Sequence, residues 1–128
     1  MKLLLDTHAF IWFATGDAQL GEAAAAAIAE PDNEVRLSAA SVWEMAIKAS
    51  LGKLVLAAPL ASILAAAQER GIHSLPISAA HALRVESLPF HHRDPFDRLL
   101  IGQALEDQLT LVTCDQAFHH YEVPTLWS

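Results

Sequence analysis

Five short apolar runs punctuate this chain, and helix-length stretches separate nearly all of them. "KLLLD" (residues 2–6), "EVRLS" (34–38), "IHSLP" (72–76), "LTLVTC" (109–114) and "VPTLW" (123–127) are too short for buried helices and read as strands. Between them lie "THAFIWFATG", "EAAAAAIAE", "ASVWEMAIKASLG", "PLASILAAAQERG", "SAAHALRVESL" and a helix from Pro95 to about Gln108, with a short "QAFHHY" turn of helix near the end. Gly16, Gly52 and Gly71 stand where three of these helices close, and Pro31, Asp32 and Asn33 form a turn. Strands divided by helices have no tight hairpin to join them. The pattern therefore predicts an α/β domain with a parallel sheet. "KLLL" is apolar at successive positions, which predicts a strand covered on both faces, near the centre of that sheet.

Composition narrows the field further. A chain of 128 residues with 53% hydrophobic content suits one domain with a sizeable core, and neither a linker nor a long-period repeat interrupts it. The longest apolar stretch, Leu54 to Ala67, is broken by Pro59 and Ser62 and is too short to span a bilayer. The opening "MKLLLDTHAFIWF" is cut by Asp6 where a signal peptide needs apolar continuity, so a soluble, cytoplasmic protein with no membrane association is expected. The one cysteine, Cys114, has no partner for an internal disulfide, in keeping with a reducing compartment. The net charge of −7 disfavours a stable DNA-binding surface of the repressor kind. A nuclease remains open, since bound divalent metal cancels part of the acid excess, and a basic protein partner also suits the balance.

The acids are the informative side chains. Asp6 ends the first strand, and Glu44 falls within the first turns of the helix that follows the second. Asp97 begins the helix of "DPFDRLL", and Asp115 follows the strand "LTLVTC". The helix after Asp97 travels about 17 Å at ~1.5 Å per residue. The strand from Leu109 returns about 17–20 Å at ~3.3 Å per residue, which brings Asp115 back to the level of Asp97. In a parallel sheet the carboxyl ends of the strands share one edge, where ligands bind in open α/β folds. Asp6, Glu44, Asp97 and Asp115 are thus expected to converge there. Crowded carboxylates repel unless a counter-charge is present. Mg²⁺ or Mn²⁺ prefers oxygen ligands, and such a site suits phosphodiester hydrolysis.

Each acid also has a purely structural reading. Asp94-Pro95 is a good helix start, with Asp97 favourable to the helix dipole. Ser41 and Glu44 have the spacing of a capping box, with Ser38 as a rival cap, and Asp115 is placed to cap the short helix after it. Asp6 is harder to explain this way, because a charge ending a buried strand needs a partner. Other candidates carry less. His91-His92 and His119-His120 lack zinc-type spacing. Cys114 with His119 makes a nucleophile–base pair on paper, but a lone cysteine in an apolar strand is more often core filling. Trp12, Trp43 and Trp127 are expected to pack, one of them partly exposed. Arg93, Arg98, Lys48 and Lys53 either balance charge or steady a nucleic-acid backbone.

Taken in order, "LLLDTHAFIWF", "SAASVWEMAIKASLGKL", "HHRDPFDRLLIGQAL" and "LTLVTCD" resemble the successive signatures of PIN-domain ribonucleases, and more closely VapC-type toxins of toxin–antitoxin pairs. The resemblance spans nearly the whole chain. It implies a PIN-like three-layer α/β/α sandwich with a short central parallel sheet, one domain over residues 1–128. It implies Mg²⁺- or Mn²⁺-dependent endoribonuclease activity on structured RNA such as tRNA or rRNA, with a 5′-phosphate and a 3′-hydroxyl as products. Asp6, Glu44, Asp97 and Asp115 match the family's four acids, Asp94 a less central aspartate, and Thr113 the Ser/Thr before the last acid. Asp6 and Asp97 are the expected core ligands, with Arg98 and Thr113 in support. A homodimer is implied, as is an antitoxin partner whose basic C-terminal tail reaches the acids. The alternative is a catalytically silent PIN-like module that keeps the acids to bind a basic protein; a hydrolase of small phosphate esters is a further rival.

Overall fold

Leu3, Leu4 and Leu5 are completely buried although successive side chains of a strand point to opposite faces, so both faces of the first strand are covered. In the computed structural model, which describes all 128 residues, this strand (β1, Lys2–Leu5) is the middle of a five-stranded sheet. The elements follow as α1 (Thr7–Thr15), α2 (Glu22–Ala29), β2 (Glu34–Ser38), α3 (Ala39–Ser50), α4 (Leu60–Glu69), β3 (Ile72–Leu75), α5 (Ala79–Glu86), α6 (Pro95–Asp107), β4 (Thr110–Val112), a 3₁₀ turn (Gln116–His120) and β5 (Thr125–Leu126). The spatial order is β3-β2-β1-β4-β5, and every pairing is parallel.

The alternation along β1 divides the core. Leu3 and Leu5 pack with Phe10, Ile28, Met45 and Ala67, which come from α1, α2, α3 and α4. Leu4 packs with Leu111 and, from α6, with Leu100, Ile101 and Ala104; Phe118 and Tyr121 join it. Helices therefore cover both faces, as the three-layer expectation requires. Each such leucine contributes about 1.5–3 kcal/mol of burial. On the second face α5 lies against α6 at Gly102, where a β-carbon would come within 3.1 Å of the His81 carbonyl oxygen, so a larger residue would push the two helices apart by a few tenths of an ångström.

The helix ends follow local chemistry. Gly16 adopts the left-handed conformation (φ 67°) and closes α1 by donating its N–H to the Phe13 and Trp12 carbonyls. Helix α3 starts at Ser38, whose hydroxyl accepts from the Ala40 N–H; the S-x-x-E capping box at Ser41 and Glu44 does not form. A reciprocal cap does occur on α5, between Ser78 and His81. The last two strands are shorter than their apolar runs, β4 holding 3 residues and β5 only 2. No helix is long and apolar enough to cross a membrane.

Candidate active site at the carboxyl edge of the sheet

Because the strands are parallel, the residues just beyond β1, β2 and β4 meet along one edge. Asp6 follows β1 directly and is buried. Its Oδ1 accepts from the Ala9 N–H at 2.7 Å, so it caps α1 as well as ending the strand. Such a cap contributes about 1 kcal/mol. Burial pushes the Asp6 carboxyl above its ordinary range. The Thr113 hydroxyl and the Ala9 N–H partly offset this, while Asp115 adds repulsion.

Glu44 sits one helical turn into α3 and is also buried. Its Oε1 accepts from the Thr7 hydroxyl at 2.7 Å, and its Oε2 from the Lys48 ammonium at 2.9 Å. Thr7 adjoins Asp6, so this bond ties the second acid to the first. Lys48 is thereby engaged with the acid group itself. Ser41, the supposed cap, lies 3.0 Å from the Thr7 hydroxyl and belongs to the same cluster.

Asp94 is the N-cap of α6: its Oδ1 accepts from the Phe96 and Asp97 N–H groups at 2.9 and 3.2 Å, with Pro95 in the first turn. Asp97 therefore lies in the first turn, where a helix dipole favours a negative charge. Even so, its carboxyl is pushed up to about 7, first by burial and then by Asp94, Asp115, Glu44 and Asp6. The acids that repel it come from four separate stretches of chain. Beyond β4, Asp115 is exposed; its Oδ1 caps the 3₁₀ turn through Ala117, and its N–H donates to the Thr113 hydroxyl. The fold thus gathers Asp6, Glu44 and Asp115 within electrostatic reach of Asp97.

Residues 3–124 match the PIN domain family. The chain is a PIN-domain protein. It is 32% identical to ribonuclease VapC22 of Mycobacterium tuberculosis (strain ATCC 25618 / H37Rv), over 98% of both chains. In fold it is similar to the structure of VapBC2 from Rickettsia felis bound to a DNA fragment from their promoter (TM-score 0.77, 16% identity, all of both chains covered). It is also similar to VapBC-1 from nontypeable Haemophilus influenzae (TM-score 0.61, 16% identity, 98% of this chain and 97% of that one).

In this PIN domain the donor chemistry fits a hard divalent cation: the clustered groups are carboxylates, and their mutual repulsion calls for positive charge. They do not form a closed cage, since no three His, Cys, Asp or Glu side chains stand together at ligating distance. Mg²⁺ commonly takes one or two carboxylates and keeps several waters, and an open rim of this kind is compatible with that habit.

Several side chains of the PIN domain depart from expectation. The Arg98 guanidinium is buried away from the acids, donating to the Pro89 and Val85 carbonyls and to the Tyr121 hydroxyl, with the Phe90 ring 4.3 Å from it. It clamps the loop before α6 and makes no direct contact with the acids. Cys114 is exposed rather than core filling, because β4 ends at Val112. Partial desolvation of the sulfur and the charges of Asp6 and Asp115 push its thiol up, which disfavours a thiolate nucleophile. Trp12 and Trp127 pack edge to face, whereas Trp43 is 62% exposed with its edge against Phe96. The sequence does not single out Thr7, and it offers His92 only as half of an adjacent pair without zinc-type spacing. The His92 Nε2 lies 3.3 Å from Asp97 Oδ2, a contact that the pairing of adjacent histidines gave no means of finding.

Proposed function

We propose that this PIN domain is a Mg²⁺- or Mn²⁺-dependent endoribonuclease, the toxic member of a toxin–antitoxin pair, acting on structured RNA of the tRNA or rRNA class. The observation that carries the reading is the crowding at Asp97, whose carboxyl is raised to about 7 by burial and by four other acids. A fold that concentrates negative charge at a cost to itself has a use for a cation there. A likeness of 32% identity over nearly the full length to a protein named as a ribonuclease supports the same reading.

Asp6 and Asp97 would hold the metal. When bound, it lowers the pKa of a water and polarises a phosphoryl oxygen. Glu44, steadied by Thr7 and Lys48, and the exposed Asp115 complete the carboxylate group, one of them orienting the attacking water. Attack in line with the leaving 3′-oxygen breaks the P–O3′ bond and leaves a 5′-phosphate and a 3′-hydroxyl. Thr113, placed between Asp6 and Asp115, keeps those two acids in register.

The partner that fits is an antitoxin with a basic C-terminal tail. The chain carries a net charge of −7, and a lysine or arginine among the acids would take the cation's place. A homodimer follows from the family resemblance.

A titration with Mg²⁺ in the presence of folded RNA tests the proposal. Metal binding and RNA cleavage that EDTA abolishes are expected. A protein that binds no metal and cuts no RNA would instead be an interaction module, and one that hydrolyses a chromogenic phosphodiester while sparing RNA would be a small-ester hydrolase.

A further inference from the structure

We propose that His92 is a positioning residue for Asp97, set in its working tautomer by Tyr121 and Arg98. This inference rests on the metal-binding part of the reading above. Four side chains form one hydrogen-bonded line. Arg98 Nη1 is 3.1 Å from the Tyr121 hydroxyl, which is 2.8 Å from His92 Nδ1, and His92 Nε2 is 3.3 Å from Asp97 Oδ2. The two ends of the line fix its direction. A guanidinium only donates, and a carboxylate engaged with a cation only accepts.

With one proton at each link, Arg98 donates to the Tyr121 oxygen, Tyr121 donates to Nδ1, and the His92 Nε2–H donates to Asp97. The far end is anchored, since the Arg98 side chain also donates to the Pro89 and Val85 carbonyls. The ring itself is held by packing, 5.5 Å from the Tyr121 ring and 6.4 Å from that of Phe118. Oδ2 of Asp97 is thus engaged from a rigid support, while no hydrogen bond within the chain engages Oδ1. A carboxylate fixed by one oxygen presents the other in a single orientation. Support of this kind behind a ligand commonly changes metal affinity by about 10–100-fold.

The buried Arg98 therefore reaches the site after all, through two intermediaries. Its role is to set the polarity of the line rather than to touch substrate or cation.

The test is calorimetric titration of the metal-free full-length protein with MnCl₂. His92→Ala is expected to bind Mn²⁺ about 10–100-fold more weakly. His92→Gln, whose amide N–H extends to a similar position, should recover most of the loss. Tyr121→Phe should weaken binding in the same direction by less, and should add nothing in the His92→Ala background. A folded His92→Ala protein with wild-type affinity would overturn the assignment, including one with a lowered Tm. Should that variant fold poorly, Tyr121→Phe keeps the ring in place, and unchanged affinity there would overturn it equally. A nitrogen coupling to bound Mn²⁺ that vanishes in His92→Ala would make His92 a ligand and also overturn it. Wild-type protein that binds no Mn²⁺ overturns both this inference and the proposed function. Wild-type protein that binds Mn²⁺ but leaves RNA intact removes only the nuclease reading.

Discussion

The Thr7 hydroxyl donates to Glu44 Oε1 across 2.7 Å, joining the residue after Asp6 to an acid 37 positions further along the chain. This bond is the most direct link between the carboxyl end of β1 and helix α3. Thr7→Val keeps the side chain's shape and removes the donor. A buried hydrogen bond to a charged group is worth about 1.5–3 kcal/mol, so chemical denaturation should show a loss in that range. RNA cleavage should fall because Glu44 is no longer held, and unchanged cleavage would separate this bond from catalysis.

Asp97 makes a prediction about pH. Its folded-state carboxyl titrates at about 7, against an ordinary 3.8, so folding favours the protonated form. The stability this contributes is complete below about pH 4 and is lost as pH rises through 7. Metal-free wild type should therefore lose stability relative to Asp97→Asn over that window, the amide having no proton to release. Added Mg²⁺ should restore stability to the wild type and not to the variant. Parallel pH profiles for the two proteins in thermal melts would contradict the account.

Asp94 separates capping from catalysis. Its carboxylate caps α6 through two N–H groups, a task that serine also performs. Asp94→Ser should keep RNA cleavage, whereas Asp94→Ala should lose about 1 kcal/mol of stability. Loss of cleavage in Asp94→Ser at an unchanged Tm would place Asp94 within the catalytic group.

Arg98 is a stability residue first. It is buried and donates to two carbonyls and a phenol, so its removal leaves those acceptors short of partners. Arg98→Leu should cost about 1–3 kcal/mol, the range for leaving buried acceptors without a donor. A change below about 1 kcal/mol in urea unfolding, as at an exposed site, would refute the clamp.

Much of this was legible along the chain. The alternation of apolar runs and helices led to a parallel α/β sheet, and the uniformly apolar "KLLL" to a strand covered on both faces. Carboxyl-edge reasoning then brought Asp6, Glu44, Asp97 and Asp115 together. The order β3-β2-β1-β4-β5 was beyond reach, because strand neighbours depend on packing across the sheet. Ser41 and Glu44 were ambiguous because S-x-x-E serves equally as a cap and as two polar positions on one helix face. The strand ends at Ser38, which takes the cap and frees Glu44 for Thr7. Cys114 was misjudged because an apolar run can outlast its strand by two residues. His92 and Tyr121 meet across 29 positions, and such a contact leaves no local pattern.

The central claim is that distant acids meet at one rim to hold a hard dication. Crystals soaked in MnCl₂ and measured for anomalous scattering test it most directly. The account predicts an anomalous peak between the Asp6 and Asp97 carboxylates, absent in Asp97→Asn crystals. A peak elsewhere, or none at that rim under concentrations that support cleavage, would contradict it.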